Sequence, residues 1–371
     1  MNTPTHIIDP DGEVIIILRN ADCPFAQPAE TPTSGDSDQG LDGEAQSPVE
    51  LSKAQLQSLE EKTLKKGKLD ANLTAPESTS PNEEPAAEED LAASPDLDCL
   101  RIQVSAKHLM FASPVFKRML TGGWKESILY AQKGSVEVTA ESWDVEALLI
   151  LLRAIHGQYH LVPRELTLEM LAKVAVITDY YGCKETLCLL TDVWIKNLKE
   201  NIPATVNRDL ILWLWISWFF QLPSQFKSST SIAMSGSNGW IDSLGLPISD
   251  KVIDSMNERR EKAISNVIAR LYETRDAFLH GTIGCSFECR SIMYGALSIQ
   301  MQSNNLLSPK PETPFLDLNC NCLVRTVKAF KSPEWWDDDD DEHACYDSSL
   351  PSLFSELEDS LGGLQLNEFT A

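Results

Sequence analysis

The chain has 371 residues, which at roughly 150 residues per domain predicts two or three folded units. Its 55 acidic and 31 basic residues give a formal net charge of −24, which excludes the basic footprint of a nucleic-acid-binding protein. Hydrophobic residues make up 43% of the sequence, too large a share for a chain that is disordered throughout.

The excess of acidic residues is confined to two segments. Residues 30–98 hold 17 acidic and 5 basic residues, and residues 332–371 hold 12 acidic residues without a lysine or arginine. The rest of the chain has equal numbers of acidic and basic residues. The negative charge therefore indicates unstructured segments rather than a charged cleft. We therefore predict a disordered acidic insert over 21–98, with a transient helix around 51–66, and a disordered acidic tail over 332–371.

The sequence predicts an intracellular protein and leaves cytoplasm or nucleus open. Its first residues show no basic region followed by an apolar core, so we expect no signal peptide. The nine cysteines are scattered and odd in number, which favours reduced thiols. The longest apolar run, 210–220, is shorter than the roughly 20 residues of a membrane helix, so we expect no membrane partner.

Strands and helices are both predicted before residue 200. Residues 6–18 suggest a hairpin around the turn Pro10–Gly12, and its second half, 14–18, is a continuous apolar run typical of a strand covered on both faces. Ile102 and Val104 alternate with polar residues and indicate a third strand. The remaining predicted elements are short helices opened by Ser105 and Ser113, a strand at Val136–Val138, a helix capped by Ser142, and helices over 168–181 and 187–198.

Only helices are predicted from residue 208 onward. The apolar run at 210–220 suggests a helix buried on all sides, and 250–280 carries a stripe with helical period, with Ser249 as its cap and Gly281 at its end. Weaker helices are predicted at 292–301 and 323–330. The fold class is therefore α+β, with a small sheet clad by helices followed by an all-helical C-terminal domain.

The stretch from Val104 to Leu120, VSAKHLMFASPVFKRML, resembles the signature segment of the BTB/POZ family. His108 and the residues SPVF at 113–116 fall on the family pattern, and Asp179–Cys183 has the form D-Y-Y-G-C that is frequent at the end of a later helix. The resemblance implies a BTB/POZ-like domain formed by 1–20 and 99–200. The helical domain then covers 204–331, and the acidic insert departs from the usual short connection between the strands.

The resemblance implies a protein–protein interaction module that is commonly dimeric and sometimes serves as a substrate adaptor for a cullin-type ubiquitin ligase. Such adaptors often carry an apolar-x-Glu motif after the second short helix, which Trp124-Lys125-Glu126 matches. The chain lacks the phosphate-loop, dinucleotide, zinc-protease and nucleophile-elbow motifs. We therefore expect a non-enzymatic protein that associates with itself or a cullin scaffold, with Trp124 and Glu126 in the partner-binding site.

A second candidate partner site lies in the tail. Six apolar residues from 350 to 364 have helical spacing, which predicts an amphipathic helix that enters a partner's groove or docks on its own helical domain. The partner-binding residues of this helix are predicted to be Leu353, Phe354 and Leu357.

Metal binding remains an alternative hypothesis. Cys285 and Cys289, with Cys320 and Cys322 downstream and His280 upstream, provide two close cysteine pairs. Their spacing differs from common zinc motifs and free cysteines are often buried, so no cofactor or metal is expected. The alternative functions are an enzyme or metal-binding protein that uses this helical domain, and a transcriptional scaffold that acts through the acidic tail.

Overall fold

The computed structural model describes residues 3–27, 99–336, 343 and 348–369. Most of the predicted acidic insert with its transient helix, and the acidic run 337–342, lie outside these residues. The described chain forms two compact units. Unit 1 contains the described residues up to Phe25, those from Cys99 to Leu166, and Lys173–Asn197. Unit 2 contains residues 26 and 27, Thr167–Ala172 and the described residues from Leu198 onward.

Unit 1 is built on a four-stranded mixed sheet with strand order β1-β3-β2-β4. Its strands are β1 (His6–Ile7), β2 (Val14–Arg19), β3 (Leu100–Val104) and β4 (Val136–Glu141). The central strand β2 runs antiparallel to β3 and parallel to β4, so that Ile16 lies beside both Ile102 and Val138. The continuous apolar run of β2 reflects this central position, whereas β4 alternates between buried and exposed residues.

The predicted hairpin over residues 6–18 is wrong, because β3 lies between β1 and β2. β1 pairs in parallel with β3, with His6 opposite Ile102. The turn that joins β1 to β2 instead packs on the end of β3, where the Gln103 side-chain amide donates hydrogen bonds to the carbonyl oxygens of Pro10 and Gly12, both at 3.0 Å. Two strands that are adjacent in sequence are thus separated by one that follows the insert.

Helices cover the sheet of unit 1. The most buried is α4, in which every residue from Ala147 to Leu152 is buried. The structure also contains α3, a helix that the sequence analysis missed. The helices before residue 200 are α1 (Ala106–Ala112), α2 (Pro114–Thr121), α3 (Lys125–Lys133), α4 (Val145–Ile155), α5 (Leu168–Tyr181) and α6 (Cys188–Asn197).

The predicted caps of these helices are only partly correct. Ser113 caps α2 through its side chain, but Ser105 does not cap α1 in this way. The first N–H group of α1 is instead bound by the carboxylate of Glu13, at 3.1 Å from the nitrogen of Ala106. The cap of α4 is Asp144 rather than the predicted Ser142.

The described part of unit 2 is helical. Its longest helix, α9, has the predicted bounds and ends at Gly281, which adopts the left-handed conformation that favours glycine. No described helix is long and apolar enough to cross a membrane. The helices are α7 (Arg208–Phe219), α8 (Pro223–Gly236), α9 (Asp250–His280), α10 (Phe287–Ser303), α11 (Cys320–Lys328) and α12 (Leu350–Leu353).

A buried arginine in α9 organises two loops of unit 2. The guanidinium of Arg260 donates hydrogen bonds of 2.8 to 3.1 Å to four backbone carbonyl oxygens. These acceptors belong to Ser237 and to the segment 314–318, which therefore pack against α9. Burial lowers the pKa of Arg260 from its ordinary value. Because each buried carbonyl group needs a donor, this one side chain fixes connections that have no regular secondary structure.

Candidate functional site

The helical hairpin α1–α2 is held by Ser113. Its hydroxyl group accepts a hydrogen bond from the N–H of Phe116 at 3.1 Å and donates one to the carbonyl oxygen of Tyr181 at 2.6 Å. The rings of Phe116 and Tyr181 stack with centroids 4.4 Å apart. The two sequence segments on which the BTB/POZ resemblance rests, 113–116 and 179–183, therefore meet in one buried contact.

The residues that follow Tyr181 complete this contact. Gly182 has a φ of +62°, and a side-chain Cβ at this position would lie 3.2 Å from Cγ of Pro114. Burial raises the pKa of the Cys183 thiol to about 12, so this thiol is protonated at neutral pH. Its sulfur atom lies 3.7 Å from the carbonyl oxygen of Thr178. The geometry indicates a packing role for Gly182 and Cys183.

His156 joins the end of α4 to the start of α1. Its Nδ1 atom lies 2.7 Å from the carbonyl oxygen of Leu152, and its Nε2 atom accepts a hydrogen bond of 3.0 Å from the N–H of Ser105. This arrangement requires a neutral imidazole with its proton on Nδ1. Burial lowers the pKa of His156, and the ring of His108, stacked at 4.9 Å, lowers it further. The sequence analysis had assigned His156 no role.

Trp124 and Glu126 lie at the start of α3. Trp124 occupies the N-cap position and is half-buried, with its indole ring next to Gly122. Its carbonyl oxygen accepts a hydrogen bond of 2.8 Å from the Ser127 hydroxyl group. Glu126 lies in the first turn, where its negative charge is favourable, and no described residue forms a hydrogen bond or ion pair with its carboxylate. The Glu126 residue is half-buried.

Unit 1 also exposes large apolar side chains on several elements. The most exposed is Phe111, near the end of α1, with 96% of its surface accessible to water. Ile7 of the edge strand β1 is 59% exposed. Such side chains are individually common on protein surfaces, but a phenylalanine left almost wholly in water contributes nothing to the core. The exposed apolar residues of unit 1 are Ile7, Phe111, Ile128, Tyr159, Leu161, Leu189 and Val193.

The tail residues predicted to bind a partner are packed within unit 2. Phe354 is fully buried in a hydrophobic cluster, with its ring edge-on to that of Phe330 at 6.4 Å. Leu353 and Leu357 are partly buried against the same cluster. The structure therefore shows the alternative considered above, in which the tail docks on its own helical unit.

The predicted amphipathic helix over 350–364 is wrong, because α12 ends at Leu353. Beyond it, the chain binds side-chain hydroxyl groups of α8. The backbone N–H of Leu364 donates to Thr230 at 2.9 Å, and that of Leu361 donates to Ser235 at 2.8 Å. The carbonyl oxygen of Leu361 accepts a hydrogen bond of 2.6 Å from the hydroxyl group of Ser231. These bonds replace the intrahelical bonds that the leucine spacing had suggested.

The cysteines of unit 2 do not form the set that the sequence suggested. Cys320 is buried near Arg260, and Cys322 is exposed on α11. Cys285 and Cys289 instead lie beside His343, with ligand atoms of all three residues within 4.8 Å of one another. His343 is separated from Cys289 by more than 50 residues, so no local spacing could have indicated it.

No protein-family model matches the chain, and no curated protein matches it.

The burial of neutral His156 predicts a pH dependence of stability. Because its pKa is lower in the folded chain than in the unfolded one, the unfolded chain takes up the proton first as the pH falls through about 6.5. The stabilising contribution of neutral His156 to the free energy of unfolding is therefore complete above that pH and is lost as the pH falls below it. The free energy of unfolding, measured in urea between about pH 5 and 7.5, should rise with pH in the wild type. It should rise with a smaller slope in His156→Asn. The exposed residue His160 supplies the control His160→Asn, and equal slopes in all three proteins would contradict the assignment.

The docking of the tail on α8 depends on Gly363. A Cβ atom at this position would overlap the carbonyl oxygen of Lys227, whereas a Cβ atom at Gly362 would have no neighbour within 4 Å. We expect Gly363→Ala to detach the segment, to lower stability by roughly 1–3 kcal/mol, and to speed proteolysis after residue 354. Gly362→Ala should stay within about 0.5 kcal/mol of the wild type. Mass spectrometry of limited digests measures the difference, and identical digestion of the two variants would refute the docking.

Proposed function

We propose that this chain is a non-enzymatic protein–protein interaction protein, with unit 1 acting as a BTB/POZ-type module. The order of strands and helices along unit 1 supports the proposal, as does the buried contact between Ser113, Phe116 and Tyr181. The buried contact joins the residues that carry the sequence resemblance.

The exposure of Phe111 is the observation that carries an interaction role. Full burial of such a side chain is worth roughly 1.5–3 kcal/mol, and this gain is absent from the isolated chain. Aromatic residues that leave water on binding often dominate the energy of an interface. The other exposed apolar side chains of unit 1 extend the surface that a partner could cover.

The edge strand β1 supports self-association. It occupies one end of the strand order, and its Ile7 side chain is exposed. An unpaired strand edge offers backbone hydrogen-bonding groups to another chain, and two copies related by a two-fold axis would present the same edge to each other. We therefore assign β1 and Ile7 to the homodimer interface.

Glu126 supports a second candidate function, that of an adaptor for a cullin-type ubiquitin ligase. An acidic side chain without an ion pair among the described residues can bind a cationic group of a partner at no cost to an internal contact. The half-buried Trp124, two residues earlier, supplies an apolar contact beside it. This pair is the apolar-x-Glu motif expected of such adaptors.

Self-association is tested by light scattering on the full chain at about 50 µM, well above the Kd of a stable dimer. We expect a dimer for the wild type and a monomer for Ile7→Lys, because a charge at the edge strand would be buried in the interface. Ile299→Lys changes a similarly exposed isoleucine in unit 2 and should remain dimeric. A monomeric wild-type chain would exclude the homodimer.

The adaptor role is tested by measuring the affinity of the full chain for a purified BTB-binding cullin scaffold. Glu126→Lys should weaken binding by about tenfold or more, since it places a cation where an anion is needed. Glu146 also lies in the first turn of a helix, so Glu146→Lys loses the same favourable helix-dipole interaction and serves as a matched control. Equal binding by the two variants would remove Glu126 from any cullin site.

A further inference from the structure

Two thiols and an imidazole converge in unit 2 at the start of α10. The sulfur atom of Cys285 lies 3.4 Å from Nε2 of His343. Cys285 lies just before the N-cap of α10 and Cys289 lies in its first turn, and the sulfur atom of Cys289 belongs to the same cluster. Cys289 is fully buried, His343 is half-buried and Cys285 is exposed, so the cluster reaches from the interior to the surface.

The start of α10 fixes the position of Cys289. Ser286 caps α10, and its side chain accepts a hydrogen bond of 3.1 Å from the N–H of Cys289. Cys289 therefore lies in the first turn of a 17-residue helix, where this capping bond holds its backbone. The hydroxyl group of the buried Ser348 lies 3.7 Å from the sulfur atom of Cys289, within hydrogen-bonding distance for sulfur.

The imidazole of His343 is held in place by Trp335. The two rings stack with centroids 4.0 Å apart and an interplanar angle of 24°. The backbone N–H of His343 also donates a hydrogen bond of 2.9 Å to the carbonyl oxygen of Trp335. A backbone contact and a ring contact together fix the direction of Nε2 towards Cys285, as a ligand histidine requires.

We propose that Cys285, Cys289 and His343 bind a zinc ion through their two sulfur atoms and Nε2. Zinc–sulfur and zinc–nitrogen bonds of about 2.3 and 2.0 Å at tetrahedral angles place sulfur and nitrogen about 3.5 Å apart. The separation of 3.4 Å between Cys285 and His343 fits this value. Two thiolates and one imidazole match the preference of zinc for soft donors, and a water molecule takes the fourth position at the exposed side.

Binding releases the two thiol protons to water and joins His343 to the start of α10. The metal thereby turns a contact between a tail residue and a helix into a coordinate link within unit 2. The proposal is independent of the interaction surface on unit 1, and its failure would leave that surface unaffected.

The test is the metal content of the full chain, purified under reducing conditions and measured by mass spectrometry after removal of weakly bound ions. We expect about one zinc per chain in the wild type and less than about 0.2 in Cys285→Ser and in His343→Asn. Cys285 is exposed, so the serine variant keeps the core intact. The matched controls are Cys322→Ser and His280→Asn, which change an exposed cysteine and an exposed histidine of the alternative ligand set and should retain the metal.

Cobalt titration provides a second readout. The wild type should give thiolate-to-cobalt charge transfer and the visible absorption of tetrahedral cobalt, and Cys285→Ser should lose most of the former. Zinc that remains in Cys285→Ser and His343→Asn would show that the ion is bound by other residues and would overturn the proposal. A wild-type chain that stays free of metal after reconstitution would also overturn it, as would a metal lost only in the two control variants.

Discussion

The antiparallel pairing of β2 with β3 is the interaction on which the rest of unit 1 depends. It brings together residues separated by the 80 positions from Asn20 to Cys99, with Ile16 opposite Ile102. By chain length alone, closing a connection of 80 residues costs about 3 kcal/mol more than closing a four-residue turn. Two or three buried side chains offset that cost at roughly 1.5–3 kcal/mol each. Ile16, Leu18, Ile102 and Val104 are all almost fully buried. A long insert at this point is therefore compatible with a stable sheet.

This pairing positions the elements that the proposed function uses. β3 leads directly into α1, so the place of the helix that carries Phe111 is set by the strand pairing. The other side of β2 pairs with β4, and α3 packs on β4 with Trp124 and Glu126 at its first turn. β1 is held at the opposite end of the sheet by its parallel pairing with β3. The exposed apolar residues, the acidic motif and the open edge are thus consequences of a single contact between distant chain segments.

Sequence patterns indicated the elements well where the signal was local, and failed where a distant segment decided the structure. The sequence correctly predicted strand β2 from its apolar run, strand β4 from its alternation and the bounds of α9 from its apolar stripe. Each of these patterns is set by which residues of that same element are buried. The hairpin prediction failed because β3, which follows the insert, lies between β1 and β2. α8 was missed because its serines and threonines have low helix propensity, although Thr230, Ser231 and Ser235 bind the tail. The tail binds α8 where the leucine spacing had predicted a continued helix beyond Leu353. His343 is distant from Cys285 in sequence, so no local pattern could predict that they lie together.

Amide hydrogen exchange of the full chain tests the central pairing most directly. If β2 and β3 form one sheet across the insert, the amides of 14–18 and 100–104 that are hydrogen-bonded between strands open only with the unit as a whole. They should then exchange with a common free energy of opening, close to that of global unfolding. Exchange of 14–18 at the rate of an unstructured peptide, with 100–104 still protected, would show that the N-terminal segment is not part of the sheet.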